Sequence, residues 1–178
     1  MAALKGYFDD TGKEEDPTHR VCGFAGCIGT VDQWGTLEDV WSKILVKFKI
    51  PYLHMKDFSH SKPPFDKLKS EDHPHLIKAL CSAASQSGVK GIAVAVVNED
   101  LARFREETGI TLSGISFSMA MVIMKICFHR DEKDVECIFD PMDRPQKVAD
   151  TAFCYLSNHP QLTECVDEVS MNPAKRGD

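Results

Sequence analysis

Four short apolar runs, at residues 4–8, 21–29, 89–97 and 135–139, constrain the fold of this chain more than any other feature. Each is too short for an ordinary helix, and two of them are apolar on consecutive residues, the pattern of strands covered on both faces. The run at 21–29 carries three glycines, Gly23, Gly26 and Gly29, which suits a central strand with something packed closely against it. Residues 4–8 and 21–29 are joined by a polar loop and pair as an N-terminal antiparallel hairpin. Between and after the strands, apolar residues recur at helical spacing. Thr36-Leu-Glu-Asp39 resembles a capping box and opens a helix with Leu37, Val40, Trp41, Ile44, Leu45 and Phe48 on one side, stopped by Pro51.

The same logic predicts a helix over 73–87 closed by Gly88, a short one from Asp100 to about Gly109, and a long apolar one over 110–128. A further helix starts at Asp143-Arg-Pro-Gln146, with an acid at the cap and proline in the first turn, and runs to about Asn158. Residues 165–170 form a last short strand, and 171–178 carry no packing signal. Strands alternating with helices give an α/β fold, a mixed sheet with helices on both faces, in a single domain over 1–178.

Composition narrows the function classes. An apolar fraction of 43% and a charged fraction of 27% are those of a soluble globular protein. The apolar stretch 110–128 is broken by serines, a glycine and Lys125, so it reads as a core helix and not as a membrane span. Seven cysteines without a repeating spacing, several inside apolar runs, indicate reduced thiols and a cytoplasmic setting; no signal peptide is seen. The net charge of −6 is uneven: residues 41–80 hold eight lysines and four histidines against only four carboxylates, between two acidic ends. A basic middle segment flanked by acidic ones fits an acidic site beside a platform for polyanions.

Two of the strands run into aspartate, Phe8-Asp9 and Phe139-Asp140. An unpaired carboxylate is too costly to bury for packing. If those strands are parallel neighbours, Asp9 and Asp140 stand roughly 5 Å apart across the ladder and repel unless a cation lies between them. Mg²⁺ or Mn²⁺, which favour carboxylate, water and phosphate oxygens, resolve that conflict and serve phosphodiester hydrolysis. Asp10-Thr11-Gly12 is ordinary turn chemistry by itself. It also resembles the aspartic protease tripeptide, but that family is all-β and the helices here exclude it. His54 and Asp57, three residues apart, can relay a proton or complete a metal shell. Cys22 and Cys27 face opposite sides of a strand and make poor zinc partners.

Taken in order, Tyr7-Phe-Asp-Asp-Thr-Gly12, His54-Met-Lys-Asp-Phe58 and the strand leading to Asp140 resemble the motifs of the domain-of-unknown-function 3800 family. That resemblance implies a ribonuclease H-like fold, with its first and fourth strands side by side. It also implies a divalent-metal-dependent nuclease acting on RNA or DNA. Asp9 and Asp140 would hold Mg²⁺ or Mn²⁺ with Asp10 beside them, His54 and Asp57 would assist, and Lys43, Lys47, Lys56 and Lys62 would contact phosphates. Members of that family usually end in a Leu-Gln-x-Ala-Asp helix whose aspartate completes the site. Here Cys165–Ser170 is followed by Asn172-Pro-Ala-Lys175 and Asp178 without that motif, and Asp167 is the candidate substitute. The alternative expectation is therefore a non-catalytic binding or inhibitor module that acts through a protein or nucleic-acid partner.

Overall fold

The structure is a computed structural model that describes residues 4–12, 14, 16, 18–129, 135–139, 145–158 and 169–173. Its sheet has the order β3-β2-β1-β4-β5, built from β1 (Leu4–Thr11), β2 (Val21–Thr30), β3 (Lys90–Val97), β4 (Val135–Phe139) and β5 (Val169–Pro173). Six α-helices accompany it among the described residues: α1 (Val31–Phe48), α2 (Met55–Ser59), α3 (Asp72–Ser87), α4 (Asn98–Thr108), α5 (Gly114–His129) and α6 (Pro145–Ser157). The chain divides into two compact units, Met1–Ile28 with Gly91–Asp178, and Gly29–Lys90.

In the first unit β1 is the pivot of a mixed sheet. It runs parallel to β4 with Leu4 opposite Val135 and Phe8 opposite Phe139, and β4 runs parallel to β5. On its other side β1 meets β2 in the reverse sense: Gly12 lies against Val21 and Gly26 against Tyr7. β2 and β3 are likewise reversed, with Gly23 against Val94 and the Asn98 amide donating to the Arg20 carbonyl. The glycines of β2 are there for close approach. A methyl group at Gly26 would fall 2.1 Å from the Tyr7 carbonyl oxygen and 2.4 Å from the Phe8 ring. Phe8 therefore lies flat over the strand and stacks on Phe24, ring centroids 5.5 Å apart and planes within 7°.

That pair joins the core of the unit, where Ile28, Met119, Val122, Ile123, Ile126, Val135, Cys137, Ala152 and Leu156 are all buried. α5 supplies more of it than any other element because it is apolar around nearly its whole circumference. The stretch expected as one helix over 110–128 starts only at Gly114. No helix among the described residues is long and apolar enough to cross a membrane.

Several elements differ from the sequence expectation. β1 does not stop at Phe8 but continues through Asp9, Asp10 and Thr11. α1 begins at Val31, not Thr36, because Thr30 and Gln33 form the capping box. The Gln33 amide donates to Thr30 Oγ1 at 3.3 Å and the Thr30 amide donates to Gln33 Oε1 at 2.8 Å. Gln33 Nε2 also donates to the Gly88 carbonyl at 3.0 Å, so one side chain ties the start of α1 to the end of α3. β3 is an edge strand, and its burial alternates along the chain with Ala93, Ala95 and Val97 exposed. The last strand lies at Val169–Pro173, displaced from the expected 165–170.

The second unit has its own core of Ile50, Phe58, Phe65, Leu76 and Leu80, with Trp41, Ile44, Leu45 and Phe48 of α1 packed on it. α1 closes at Lys49, whose backbone is left-handed at φ 57°. The Lys49 amide donates to the Val46 carbonyl and the Ile50 amide to the Leu45 carbonyl, with Ile50 and Leu45 meeting in the same core. This is the Schellman arrangement, with lysine in the place glycine usually takes.

Candidate functional site

The extension of β1 decides how its carboxylates are displayed. Side chains alternate along a strand, so Tyr7, Asp9 and Thr11 lie on the exposed face while Gly6, Phe8 and the half-buried Asp10 lie on the other. The two neighbouring acids therefore project from opposite faces and are not equivalent. The Asp10 amide donates to Asp9 Oδ1 at 2.9 Å, which fixes the Asp9 carboxylate against its own backbone. The described register with β4 ends at Phe8 opposite Phe139, the residues immediately before Asp9 and Asp140. Asp140 itself, like Asp167, lies outside the described residues. Asp9 and Asp10 supply oxygens of the kind Mg²⁺ and Mn²⁺ prefer. Among the described residues no three His, Cys, Asp or Glu side chains converge as a metal site.

His54 and Asp57 belong to the second unit and are brought together. His54 stands just before α2 and Asp57 one turn on, with His54 Nδ1 2.6 Å from Asp57 Oδ2. The bond to His54 holds the Asp57 carboxyl below the usual carboxylate range, and the positive charges of His54, Lys62 and Lys56 act in the same direction. The His54 side chain is 58% exposed, so its ring presents an edge to solvent while the other side is anchored. Lys56 and Lys62 thus surround this pair, and the Lys62 amide donates to the Asp57 carbonyl at 2.9 Å. Lys43 and Lys47 lie on the exposed side of α1. The expected site residues fall into two groups, the β1 carboxylates in the first unit and the His54–Asp57–lysine group in the second.

One cluster escaped the sequence reading altogether. Glu14, in the loop after β1, forms a forked ion pair with Arg105 of α4: its Oε1 accepts from Arg105 Nη1, and its Oε2 from Nη2 at 2.9 Å. Glu14 Oε2 also accepts from the Gly114 amide at 2.9 Å, at the first turn of α5. Ser113 caps the same helix end, its Oγ accepting from the Ser116 amide at 3.1 Å. Arg105 in turn donates through Nε to the Leu112 carbonyl at 2.9 Å. The bond to Arg105 pulls the Glu14 carboxyl below its ordinary value against the effect of burial, the Gly114 amide acts in the same direction, and Glu14 raises Arg105 reciprocally. These residues line an open cleft of about 740 Å³ with Thr111 and Ser113. Its charged groups satisfy each other and the end of a helix, which is a structural tie. No local pattern announces it, because Glu14 and Arg105 are 91 residues apart.

A scan against protein-family models and searches of curated proteins and of solved structures find no match to this chain.

Proposed function

We propose that this protein is a divalent-metal-dependent nuclease of ribonuclease H-like fold that hydrolyses phosphodiester bonds of RNA or DNA. The observation that carries the reading is the parallel pairing of β1 with β4 in a register that ends at Phe8 and Phe139. Each of those residues is followed by aspartate. Adjacent first and fourth strands are what the family resemblance led one to expect, and the exposed face of β1 offers Asp9 to solvent and not to the core.

In this reading Asp9 and Asp140 hold Mg²⁺ or Mn²⁺, while Asp10, whose side chain lies on the other face of β1, contributes its backbone amide to Asp9. The bound cation supplies charge neutralisation and Lewis-acid activation at a scissile phosphate. The chain's own contributions are simpler to derive. Asp9 is pre-oriented by the Asp10 amide, so little rotamer freedom is lost when its oxygens are engaged. His54 is held by Asp57 in one ring orientation, which leaves its other nitrogen to exchange a proton with a phosphate or water. Lys43, Lys47, Lys56 and Lys62 offer ammonium groups to phosphates of the bound strand.

The test is cleavage of labelled RNA, DNA and RNA–DNA hybrid by purified protein with Mn²⁺, beside Asp9→Asn and Asp140→Asn. Loss of cleavage in both variants and in EDTA is the expected result. Activity that survives both substitutions would overturn the proposal. Tight binding of intact nucleic acid with no cleavage by the unaltered protein would favour the non-catalytic module instead.

A further inference from the structure

Of the four lysines singled out by sequence, Lys47 alone belongs to the cluster that the second unit gathers around one cleft. Lys47 and Lys49 from the end of α1 and Lys67 and Lys69 from the segment before α3 line one open cleft of about 550 Å³, with Asp72 and His75 of α3 on its wall. Three chain segments converge there, so the cluster is a product of the fold and not of a local lysine run. Four ammonium groups face a single lining carboxylate. Lys69 shares an ion pair of 3.7 Å with Glu71, but both side chains are about three-quarters exposed, so solvent screens it heavily.

An ordinary explanation accounts for only part of this. Lysine in the last turn of a helix favours the negative end of the helix dipole, which covers Lys47. It covers neither Lys67 nor Lys69, which lie on another segment. Lys49, at the same helix end, also meets that dipole, but it does so from a left-handed backbone position that glycine would fill without steric cost. A non-glycine residue at a left-handed position is a reason to seek a role for its side chain.

We propose that this cleft is the seat of a single-stranded polynucleotide backbone, with Lys47, Lys49, Lys67 and Lys69 as its phosphate contacts. The proposal rests on nucleic acid being the ligand class of the function proposed above. The excess of positive charge matches two or three successive phosphodiesters, more than one isolated phosphate would neutralise. The Phe48 and Leu68 side chains, which also line the cleft, give it apolar surface against which a sugar or base can rest.

The experiment is fluorescence anisotropy with a labelled single-stranded RNA of about 12 nucleotides, in EDTA, across a salt series, so that binding is read without cleavage. Each phosphate contact on a single strand contributes a slope of about 0.7 in log K against log salt, or about fourfold in affinity at 0.15 M. Lys67→Glu/Lys69→Glu should weaken binding by about 15-fold or more and make the slope shallower by about 1.4. Lys49→Gly should weaken binding about fourfold while raising Tm, which separates loss of contact from loss of fold. Lys90→Glu, the same charge reversal made once and outside the cleft, should match the unaltered protein to within about twofold. Unchanged affinity and slope in Lys67→Glu/Lys69→Glu would overturn the cleft while leaving the metal chemistry standing. So would inorganic polyphosphate competing as well as RNA at equal phosphate. Loss of cleavage in Asp9→Asn with binding intact would leave the cleft standing, and the absence of Mn²⁺-dependent cleavage despite strong binding would remove the reaction alone.

Discussion

Removing Glu14 tests the tie between the loop after β1, α4 and α5. The carboxylate accepts two hydrogen bonds from Arg105 and one from the Gly114 amide. Glu14→Ala leaves Arg105 with the Leu112 carbonyl and removes the partner of a helix-terminal amide. Breaking a fully buried ion pair costs about 3–5 kcal/mol, and an exposed one about 0–1 kcal/mol. The two side chains are 25% and 27% exposed, so solvent discounts the buried figure to about 2 kcal/mol. For a chain of this length that is a fall in Tm of about 4–8 °C. Glu14→Gln keeps a neutral acceptor and should cost about half as much.

The pH dependence gives the sharper check. Arg105 lowers the Glu14 pKa in the folded state from its ordinary 4.5. A depressed carboxyl contributes stability that is complete above the unfolded value and is lost as pH falls through the folded value. The stability difference between the unaltered protein and Glu14→Gln should therefore hold constant from neutral pH down to about 5 and then shrink below the ordinary carboxyl value. Urea unfolding at a series of pH values measures it. Equal stabilities at pH 7, or a difference that persists undiminished at pH 3, would refute the assignment.

Gly26→Ala should destabilise by about 3 kcal/mol or prevent folding, because the added methyl meets the Tyr7 carbonyl at 2.1 Å and that backbone cannot yield; thermal melting reads it. Ser118→Ala should raise stability by about 1 kcal/mol in urea unfolding, since its Oγ is fully buried with no hydrogen-bond partner among the described residues. The Asp57 side-chain carboxyl should titrate below its ordinary 3.8 in carbon-detected NMR, and His54→Ala should return it towards that value.

How much of this was legible depends on the range of the interaction. The strand cores of β1, β2 and β4 and the glycine stop of α3 were readable, because period, glycine and apolar runs are local signals. The start of α1 was misplaced because two box-like segments, Thr30-Val-Asp-Gln33 and Thr36-Leu-Glu-Asp39, compete, and only the direct passage from β2 into α1 selects the first. β3 reads as a doubly covered strand because alanine satisfies an apolar pattern at small cost when exposed, as at Ala93 and Ala95. The aspartates of β1 were recognised but their display was not, since a strand end and a strand interior differ by hydrogen bonds to another strand. Glu14 and the Lys67–Lys69 side of the basic cleft were missed for one reason. Their meaning comes from partners on other segments: Glu14 and Arg105 are 91 residues apart, and the basic stretch 41–80 does not say which of its lysines the fold gathers.

The division of charge between the units bears on whether an acidic protein can hold a polyanion at all. Gly29–Lys90 contains nine lysines and no arginine against seven carboxylates, while the rest of the chain carries twelve basic residues against twenty acidic ones. The first unit therefore carries a net charge of −8 and the second one of +2, which together make the −6 of the chain. At physiological ionic strength fields decay over about 8 Å, so a phosphate inside the cleft responds to the four lysines around it more than to the chain's total. At about 0.01 M salt the decay length is about 30 Å, and the negative charge of the whole chain then weighs on the same strand. Lowering the salt strengthens the local contacts and exposes the long-range repulsion together. Affinity should accordingly level off at low salt, where a uniformly basic binder would go on gaining. Divalent cation bound at the β1 carboxylates would lower the chain's negative charge and with it part of that repulsion.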